Sequence, residues 1–260
     1  MQLTLDLLPR TGAQDVVLLV DVLRATTCAP IVLDVRTRST PDPRLHVTAS
    51  LQAARTYAAA NDLLLAGERD GLPPQGFHLS ASPAQLRAAT LERDTVFTSE
   101  NGPRALDVLT ETGAPRTLLL GSFQNAPAAA RAALDLATSE IRVVCAGVRG
   151  EEATEDIVCA ALITDLIERE ARVRAVPLNV GGSAHLARTL LRAYPDPQEA
   201  LAQSRSGQTL MRLGLHEDLA VASLIGQTPT VPVLAHITRQ HEHAVHTFTA
   251  LARPTETPTV

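Results

Sequence analysis

VVLLVDVLRATT, residues 16–27, places an unbroken run of five apolar residues directly before a polar cluster. A continuous apolar run predicts a strand that is covered on both faces, which is typical of a parallel sheet. The same pattern, often followed by a helical stretch, recurs in four further segments: residues 63–65, 95–97, 117–120 and 141–145. It predicts an α/β fold, layered α/β/α, with a largely parallel sheet and right-handed crossovers.

Helix signals follow several of these strands. Thr154 predicts the start of a helix that runs to about residue 168, and an early proline predicts a helix over residues 126–136. Later segments predict shorter helices and one strand: helices at 183–194, 198–203, 207–213 and 217–225, and a strand at 231–237. We expect one α/β domain over residues 1–252, with two lobes divided near 170–180 as the alternative, and a disordered tail over 253–260.

The composition excludes several classes of protein. Apolar residues make up 45% of the 260, near the globular average, which excludes wholesale disorder. An aromatic content of 2% argues against binding of single-stranded nucleic acid. The net charge of −5 provides no general attraction to nucleic-acid backbones or anionic membranes. All 23 basic residues are Arg, and the absence of Lys excludes Schiff-base chemistry and a P-loop lysine.

The three cysteines, Cys28, Cys145 and Cys159, have no C-x-x-C spacing, which fits a reducing cytoplasm and no structural zinc. The N-terminal segment lacks the apolar region of a signal peptide, and no stretch approaches the length of a membrane span. We therefore expect a soluble cytoplasmic protein that binds neither nucleic acid nor membranes; a homo-oligomer stays open. Because neither Cys28 nor Cys145 belongs to a C-x5-R loop, we expect neither to be a nucleophile.

Polar residues follow each predicted strand. Because ligands in such sheets bind beyond the carboxyl ends of the strands, we expect these clusters to converge on one site. Asp21, with Arg24 three residues on, suits a metal and an anion; the alternative is a helix cap with a surface ion partner. Glu68 and Arg69 lie in a turn bracketed by glycines, which either approaches a ligand or merely connects two elements.

Uncharged and acidic residues occupy the same positions after other strands. Asn101, Ser122 and Asn125 each stand at a helix start, where capping explains them one by one and their shared location favours ligand binding. The helix predicted at residue 154 opens with a dense acidic group: Glu151, Glu152, Glu155 and Asp156. The helix dipole favours carboxylates there, but four within six residues also suit Mg²⁺.

Several catalytic patterns are absent from the sequence. A phosphatase of the haloacid dehalogenase type needs Asp where this chain has Leu23, and a cysteine phosphatase loop needs Arg where it has Glu151. The motifs G-x-S-x-G and G-x-G-x-x-G do not occur. The histidines at 236, 241, 243 and 246 suit a soft metal, but no helical face joins them, which favours a solvated segment.

Over roughly residues 15 to 235, the chain resembles the 2-phosphosulfolactate phosphatases (ComB-like proteins). The resemblance rests on short motifs that occur in one order: VDVLRATT at 20–27, Gly67-Glu68-Arg69, Gly76-Phe77, Ser82-Pro83, Asn101-Gly102, Gly121-Ser122-Phe123, Asn125-Ala126, Cys145-Ala146-Gly147, Glu155-Asp156, and residues 214–232 with Asp218.

The resemblance implies a Mg²⁺-dependent phosphomonoester hydrolase that converts 2-phospho-3-sulfolactate to sulfolactate and phosphate, a step toward coenzyme M. The metal ligands expected on this basis are Asp21, Glu68 and one of Glu155 or Asp156. The expected catalytic residues are Asp21, Arg24 and Arg69, the arginines neutralising charge on the phosphoryl oxygens. The expected substrate contacts are Arg24, Arg69, Asn101, Ser122, Asn125 and Arg104. Whether water or a carboxylate is the nucleophile stays open, and Asp21 is our choice for a covalent step.

Six positions depart from the family pattern: His78, Ala81, Glu100, Pro103, Arg149 and Ala153. They lie in or beside the expected site loops and motivate two alternatives. One is a related protein that binds a small anionic ligand without turnover, and the other is a phosphatase for a different phosphohydroxy acid. Hydrolysis measured with and without Mg²⁺ separates the enzymes from the binding protein.

Overall fold

The computed structural model describes residues 1–240 and 242–252. Within this range the chain forms one sheet of eleven strands: β1 (Gln2–Asp6), β2 (Val16–Val20), β3 (Arg44–Val47), β4 (Leu64–Gly67), β5 (Leu79–Ser80), β6 (Thr95–Thr98), β7 (Thr117–Gly121), β8 (Glu140–Cys145), β9 (Asn179–Gly182), β10 (Pro232–Gln240) and β11 (His243–Ala250). The same range contains ten α-helices: α1 (Ala25–Thr37), α2 (Leu51–Asn61), α3 (Pro83–Ala88), α4 (Gly102–Thr110), α5 (Ala126–Leu136), α6 (Thr154–Val173), α7 (Ala184–Ala193), α8 (Pro197–Gln203), α9 (Arg205–Arg212) and α10 (His216–Ser223).

The order of strands in the sheet is β5-β4-β6-β3-β11-β10-β7-β2-β8-β1-β9. It contains two blocks of parallel strands, β5-β4-β6-β3 and β7-β2-β8-β1-β9. The antiparallel pair of β10 and β11 joins them. The predicted α/β fold with a largely parallel sheet is confirmed, and the five apolar runs all form strands of the parallel blocks.

β2 lies inside its block, and helices cover both of its faces. Val16, Leu18 and Val20 pack with residues of α5 and α6 on one side. Val17 and Leu19 pack with residues of α1 and α4 on the other. Burying one Val or Leu side chain contributes about 1.5–3 kcal/mol. The run VVLLV therefore stabilises both helical layers at once, which is the layered α/β/α arrangement that the sequence predicts.

Five strands of the described residues lie outside the predicted segments, namely β1, β3, β5, β9 and β11, and two of them show why. β1, whose sequence QLTLD alternates, pairs with β8 and β9. β11 pairs with β10 and β3. His246 on β11 is fully buried, and its Nε2 lies 3.0 Å from Thr110 Oγ1. The prediction of a solvated histidine segment is therefore wrong for His246, while His241 lies outside the described residues.

The predicted helices agree with the structure, with shifts at their ends. α5 has the predicted bounds, and α6 begins at Thr154 but continues to Val173. The connection from α6 to β9 falls at the suggested division near 170–180, and β9 pairs with β1, so the sheet continues across it. The predicted tail over 253–260 lies outside the described residues. In the part of the chain that the structure describes, no helix has the length and apolar character of a membrane span.

Asp15 holds three strands together at the sheet end opposite the polar clusters. Its Oδ2 accepts hydrogen bonds from the backbone N–H groups of Thr138 (2.8 Å), Ser139 (2.6 Å) and Glu140 (3.0 Å). Its Oδ1 accepts one from Arg116 Nε at 2.9 Å. Burial alone would raise the pKa of Asp15, but these donors outweigh it and hold the pKa below its ordinary value.

We predict that Asp15→Asn lowers the free energy of unfolding by about 2–4 kcal/mol at neutral pH, because an amide replaces a charged acceptor of several donors. Folding lowers the pKa of Asp15, so its stabilisation is present above the unfolded pKa of about 4 and is lost as the pH falls below it. In urea denaturation, the difference between variant and wild type should therefore narrow from about pH 5 to about pH 3.

The matched control is Asp42→Asn, which breaks an exposed pair with Arg44 and should change the free energy of unfolding by less than about 1 kcal/mol. Equal losses in the two variants, or a difference that stays constant with pH, would show that Asp15 does not hold the strand ends.

Candidate active site

A cavity of about 330 Å³ opens where the loops after β2, β4, β6 and β8 meet α9. Its walls are mostly polar and carry both signs of charge; the lining residues are Leu23, Arg24, Glu68, Asp70, Gly71, Glu100, Asn101, Val148, Arg149, Arg205, Ser206, Thr209, Leu210 and Arg212. Four of the five polar clusters that follow the predicted strands thus reach one place. The loop after β7 does not, so the expectation that all five converge is wrong for that loop.

Asp21 follows β2 and is buried beside the cavity, with 4% of its surface exposed. A Cβ at Gly102 would lie 2.6 Å from Asp21 Oδ2 and 2.8 Å from Ala25 Cβ, so the start of α4 packs directly against the carboxylate. Burial, the charge of Glu68 and that of Glu155 raise the pKa of Asp21 to about 7, while the N–H groups of Gly102 and Ala25 oppose the shift. A cation would relieve this repulsion.

Glu68 follows β4 and lines the cavity. Its Oε2 accepts a hydrogen bond from the Gly71 N–H at 2.9 Å, and its Oε1 accepts one from the Glu100 N–H at 3.1 Å. The carboxylate therefore connects its own turn to the loop after β6. Each oxygen keeps a further lone pair for another ligand.

Arg24 lines the cavity as one half of a buried ion pair. Its Nη1 donates to Asp218 Oδ2 over 2.8 Å, and its Nη2 donates to the Gly71 carbonyl over 2.7 Å. The other oxygen of Asp218 accepts a hydrogen bond from the Ser82 hydroxyl. The alternative that Arg24 is a surface partner of Asp21 is therefore wrong. Because a guanidinium has five N–H donors, some remain for a ligand.

Asp156 lies in the first turn of α6 and connects two loops at the cavity. Its Oδ1 accepts a hydrogen bond from the Val22 N–H at 2.8 Å, and its Oδ2 accepts one from the Gly147 N–H at 3.1 Å. Burial, followed by the charges of Asp21 and Glu155, raises the pKa of Asp156 well above its ordinary value. Both of its oxygens are thus engaged in holding the loops after β2 and β8.

Glu155, the neighbouring carboxylate of the predicted metal group, is also buried in the first turn of α6. Burial raises its pKa, and the nearby hydroxyl groups of Ser206 and Ser204 at the start of α9 oppose the shift. Its carboxyl group therefore lies between α6 and the helix that forms one wall of the cavity.

The carboxylates differ in how well they suit a metal. Within residues 1–240 and 242–252, no three His, Cys, Asp or Glu side chains form a preassembled metal cluster. Mg²⁺ commonly takes only one or two protein carboxylates and completes its shell with water and substrate phosphate. Asp21 and Glu68 provide hard oxygen donors, and their mutual repulsion fits a bound cation. Glu68 and Asp156 each accept two backbone hydrogen bonds, but Glu68 lines the cavity and Asp156 does not, so Asp156 is the poorer candidate ligand.

Two arginines that we expected at the substrate lie elsewhere. Arg69 Nη1 donates to the Glu68 carbonyl over 2.6 Å, and its Nη2 donates to the Ala49 carbonyl (2.7 Å) and Thr98 Oγ1 (3.0 Å). Arg104 is exposed in the first turn of α4. Neither residue lines the cavity. Instead, Arg69 connects its own turn to the segments that contain Ala49 and Thr98.

The loop after β7 is a structural connection. Asn125 Oδ1 accepts a hydrogen bond from the Ser122 N–H at 2.9 Å, and Asn125 Nδ2 donates to the carbonyls of Leu120 (3.1 Å) and Thr230 (3.0 Å). Ser122 and Asn125 are both fully buried and do not line the cavity. Asn125 therefore anchors the segment before β10, and Ser122 takes part in this loop through its backbone N–H.

Asn101 lines the cavity as expected and connects the loops after β6 and β8, because its Oδ1 accepts a hydrogen bond from the Arg149 N–H at 3.1 Å. The Arg149 guanidinium pairs with Asp70 at 3.1 Å and with Glu100 at 3.4 Å. Two of the six departures from the family pattern thus meet at the cavity. The other four do not line it: His78, Ala81, Pro103 and Ala153.

α9 supplies a cavity wall that the motifs in the sequence do not single out. Arg205, Ser206, Thr209 and Arg212 all line the cavity. The available signal is the segment RSGQTLMR, in which Arg205, Thr209 and Arg212 recur with the spacing of one helix face.

The cysteines take no part in the cavity. Cys28 and Cys145 are buried, and burial raises the pKa of both thiols. A thiol kept neutral in the core is a poor nucleophile, which agrees with the expectation from the sequence.

Comparison with known proteins assigns a family to this architecture. A family model described as 2-phosphosulpholactate phosphatase matches residues 2–236, which include every residue that lines the cavity. A protein of Thermus thermophilus named probable 2-phosphosulfolactate phosphatase is 35% identical over 237 residues, covering 90% of this chain and 94% of the relative. A Deinococcus radiodurans protein of the same name is 36% identical over 242 residues, covering 90% and 93%. One from Symbiobacterium thermophilum, also of that name, is 34% identical over 222 residues, covering 84% and 90%.

We predict that Gly102→Ala lowers the free energy of unfolding by about 1–3 kcal/mol, because the new methyl group would overlap the Asp21 carboxylate and Ala25. Gly181→Ala is the matched control, since the nearest atom to its Cβ would be Thr4 Cγ2 at 3.9 Å. Urea denaturation of both variants makes the comparison. If Gly102→Ala were as stable as the control, the close packing of α4 against Asp21 would be disproved.

Proposed function

The chain belongs to the 2-phosphosulfolactate phosphatase family, and we propose that it hydrolyses 2-phospho-3-sulfolactate to sulfolactate and phosphate in an Mg²⁺-dependent reaction. This substrate carries a phosphate, a sulfonate and a carboxylate. The observation that carries the proposal is the convergence of four arginines on one cavity beside buried carboxylates: Arg24, Arg149, Arg205 and Arg212.

The arginines support a small substrate with several anionic groups. The planar guanidinium fork matches the oxygens of phosphate and carboxylate in pairs. Because the chain as a whole carries a net charge of −5, an anion has to be attracted locally, and the four arginines that line this cavity provide positive charge for it. A volume of about 330 Å³ suits a small metabolite.

In this proposal Asp21 and Glu68 hold Mg²⁺, with Glu155 behind them. The ion, when bound, polarises the phosphoryl group and offsets negative charge as the ester bond breaks. The raised pKa of Asp21 supports this assignment, because burial beside Glu68 and Glu155 is unfavourable for the carboxylate without a positive partner. Asp156, whose oxygens accept the Val22 and Gly147 N–H groups, positions the loops.

Arg24 is held in place before substrate arrives. Asp218 and the Gly71 carbonyl occupy one N–H donor of each terminal nitrogen. We assign the remaining donors to the phosphoryl oxygens, whose negative charge they stabilise in the transition state without reorganisation. We assign Asp21 to the attack on phosphorus: either it takes a proton from the attacking water, or its carboxylate attacks phosphorus and water then hydrolyses the aspartyl phosphate. In both cases the bond from phosphorus to the sulfolactate oxygen breaks, and that oxygen leaves as a hydroxyl group with a proton from water.

The metal requirement provides the first test. We predict that exhaustive EDTA treatment abolishes release of phosphate from 2-phospho-3-sulfolactate and that added Mg²⁺ restores it, because Asp21 and Glu68 otherwise face the phosphate as uncompensated charges. Simple phosphohydroxy acids are assayed in parallel, to distinguish a phosphatase for phosphosulfolactate from a phosphatase for a different phosphohydroxy acid. Activity that survives EDTA unchanged would refute the metal assignment. A melting temperature raised by phosphosulfolactate without release of phosphate would favour the binding protein.

Arg24 provides the second test. We predict that Arg24→Lys lowers kcat/KM by roughly 10²-fold, some 2.7 kcal/mol of transition-state stabilisation, because an ammonium cannot contact Asp218, Gly71 and a phosphoryl oxygen with one planar fork. It also lowers the free energy of unfolding by about 1–3 kcal/mol, because the ion pair is buried. Both kcat/KM and the free energy of unfolding are measured well below the melting temperature of the variant.

Arg36→Lys is the control for this substitution, since Arg36 pairs with Asp94 at 3.0 Å and does not line the cavity. It should retain kcat/KM within about twofold of wild type. Wild-type kcat/KM in Arg24→Lys would leave Arg24 with a structural role alone.

A further inference from the structure

One wall of the cavity is a single helix face, formed by Arg205, Thr209 and Arg212, which we call the α9 face. These residues are four and three positions apart, which places them on the same side of an α-helix. Arg205 and Arg212 present positively charged N–H donors, while the Thr209 hydroxyl donates to the Arg205 carbonyl at 3.0 Å and accepts from Arg212.

The α9 face has a fixed position. Ser204 Oγ accepts a hydrogen bond from the Gly207 N–H at 3.0 Å and so caps the helix. A Cβ at Gly207 would collide with the Leu201 carbonyl, so α9 packs tightly against the end of α8. Leu210 is buried in the core on the far side of the sheet from α1. The two arginine stems therefore start from a rigid support.

The α9 face is more positive than the opposite wall. At the strand ends, the guanidinium of Arg149 is paired with Asp70 and Glu100, and that of Arg24 with Asp218. On the α9 face, Arg212 donates to Thr209 Oγ1 at 3.0 Å, and no carboxylate of the described residues lies within 4.0 Å of it. Arg205 pairs at 3.1 Å with Glu151, and both side chains are well exposed. Such an exposed pair contributes at most about 1 kcal/mol to stability, so an incoming anion can readily replace Glu151 as the partner of Arg205.

We propose that the α9 face binds the non-reacting sulfonate of the substrate and so determines the preference for phosphoesters that carry a second strong anion. This inference rests on the proposed function, in which the phosphoryl group lies at the strand ends beside Asp21 and Glu68. A sulfonate stays ionised at all physiological pH values and presents three acceptor oxygens, which match the N–H donors of the Arg212 and Arg205 guanidinium groups.

The test removes, in turn, the positive charge of Arg212 on α9 and the negative charge of the substrate's sulfonate. Full-length wild type and Arg212→Gln are assayed with 2-phospho-3-sulfolactate and with 2-phospholactate, which lacks the sulfonate. Arg212→Gln should lower kcat/KM about tenfold or more for the first substrate and leave it within about twofold for the second. The matched control is Arg192→Gln, an exposed arginine on α7 that does not line the cavity. It should change neither value.

Equal losses on both substrates, or no loss on either, would overturn the inference. Binding without turnover provides an independent measurement: calorimetry should show that wild type binds sulfolactate more tightly than lactate, and that Arg212→Gln removes most of the difference. If wild type shows no such preference, the α9 face is not a sulfonate site. If the preference is present but no phosphoester is hydrolysed, the proposed function fails and the binding site stands.

Discussion

The buried ion pair between Arg24 and Asp218 is the contact on which the cavity depends. Its partners lie 194 residues apart, one in the loop after β2 and the other in α10. Removing two charges from water is costly unless each finds good partners, and here the guanidinium also donates to the Gly71 carbonyl while the carboxylate also accepts from Ser82. Four segments are thus held at one point. Removing the Arg24 side chain would leave Asp218 as a buried charge without a positive partner, which would destabilise the packing of α10.

Local sequence predicts where each strand ends but not where the following side chains point. VVLLV has to be covered on both faces, so Asp21 was predictable at the carboxyl edge of the sheet. Arg69 also follows a strand, yet it turns away from the cavity because its acceptors come from the Ala49 and Thr98 segments. The role of Asn125 likewise depends on an acceptor at Thr230. The same limit applies to β11, whose mixed sequence becomes buried only through distant partner strands.

The acidic residues of the site serve the fold and the chemistry together. Glu68 and Asp156 each accept hydrogen bonds from two backbone N–H groups of different loops, so their carboxyl oxygens hold those loops together. The same burial makes the ionised form of Asp21 unfavourable. The arginines across the cavity, Arg149 and those of α9, provide positive charge opposite these acidic residues. The result is a small volume in which both signs of charge are fixed before any ligand arrives.

The antiparallel pair of β10 and β11 joins the block that carries Asp21 to the block that carries Glu68, yet these two strands are the last of the sheet to leave the ribosome. β11 pairs with β3 across a sequence separation of about 200 residues, as the hydrogen bond between His46 and Thr247 illustrates. A growing chain therefore contains both halves of the cavity without the strands that join them. Contacts of such long range form late in folding. Assembly of the acidic centre accordingly waits until β10 and β11 have been synthesised.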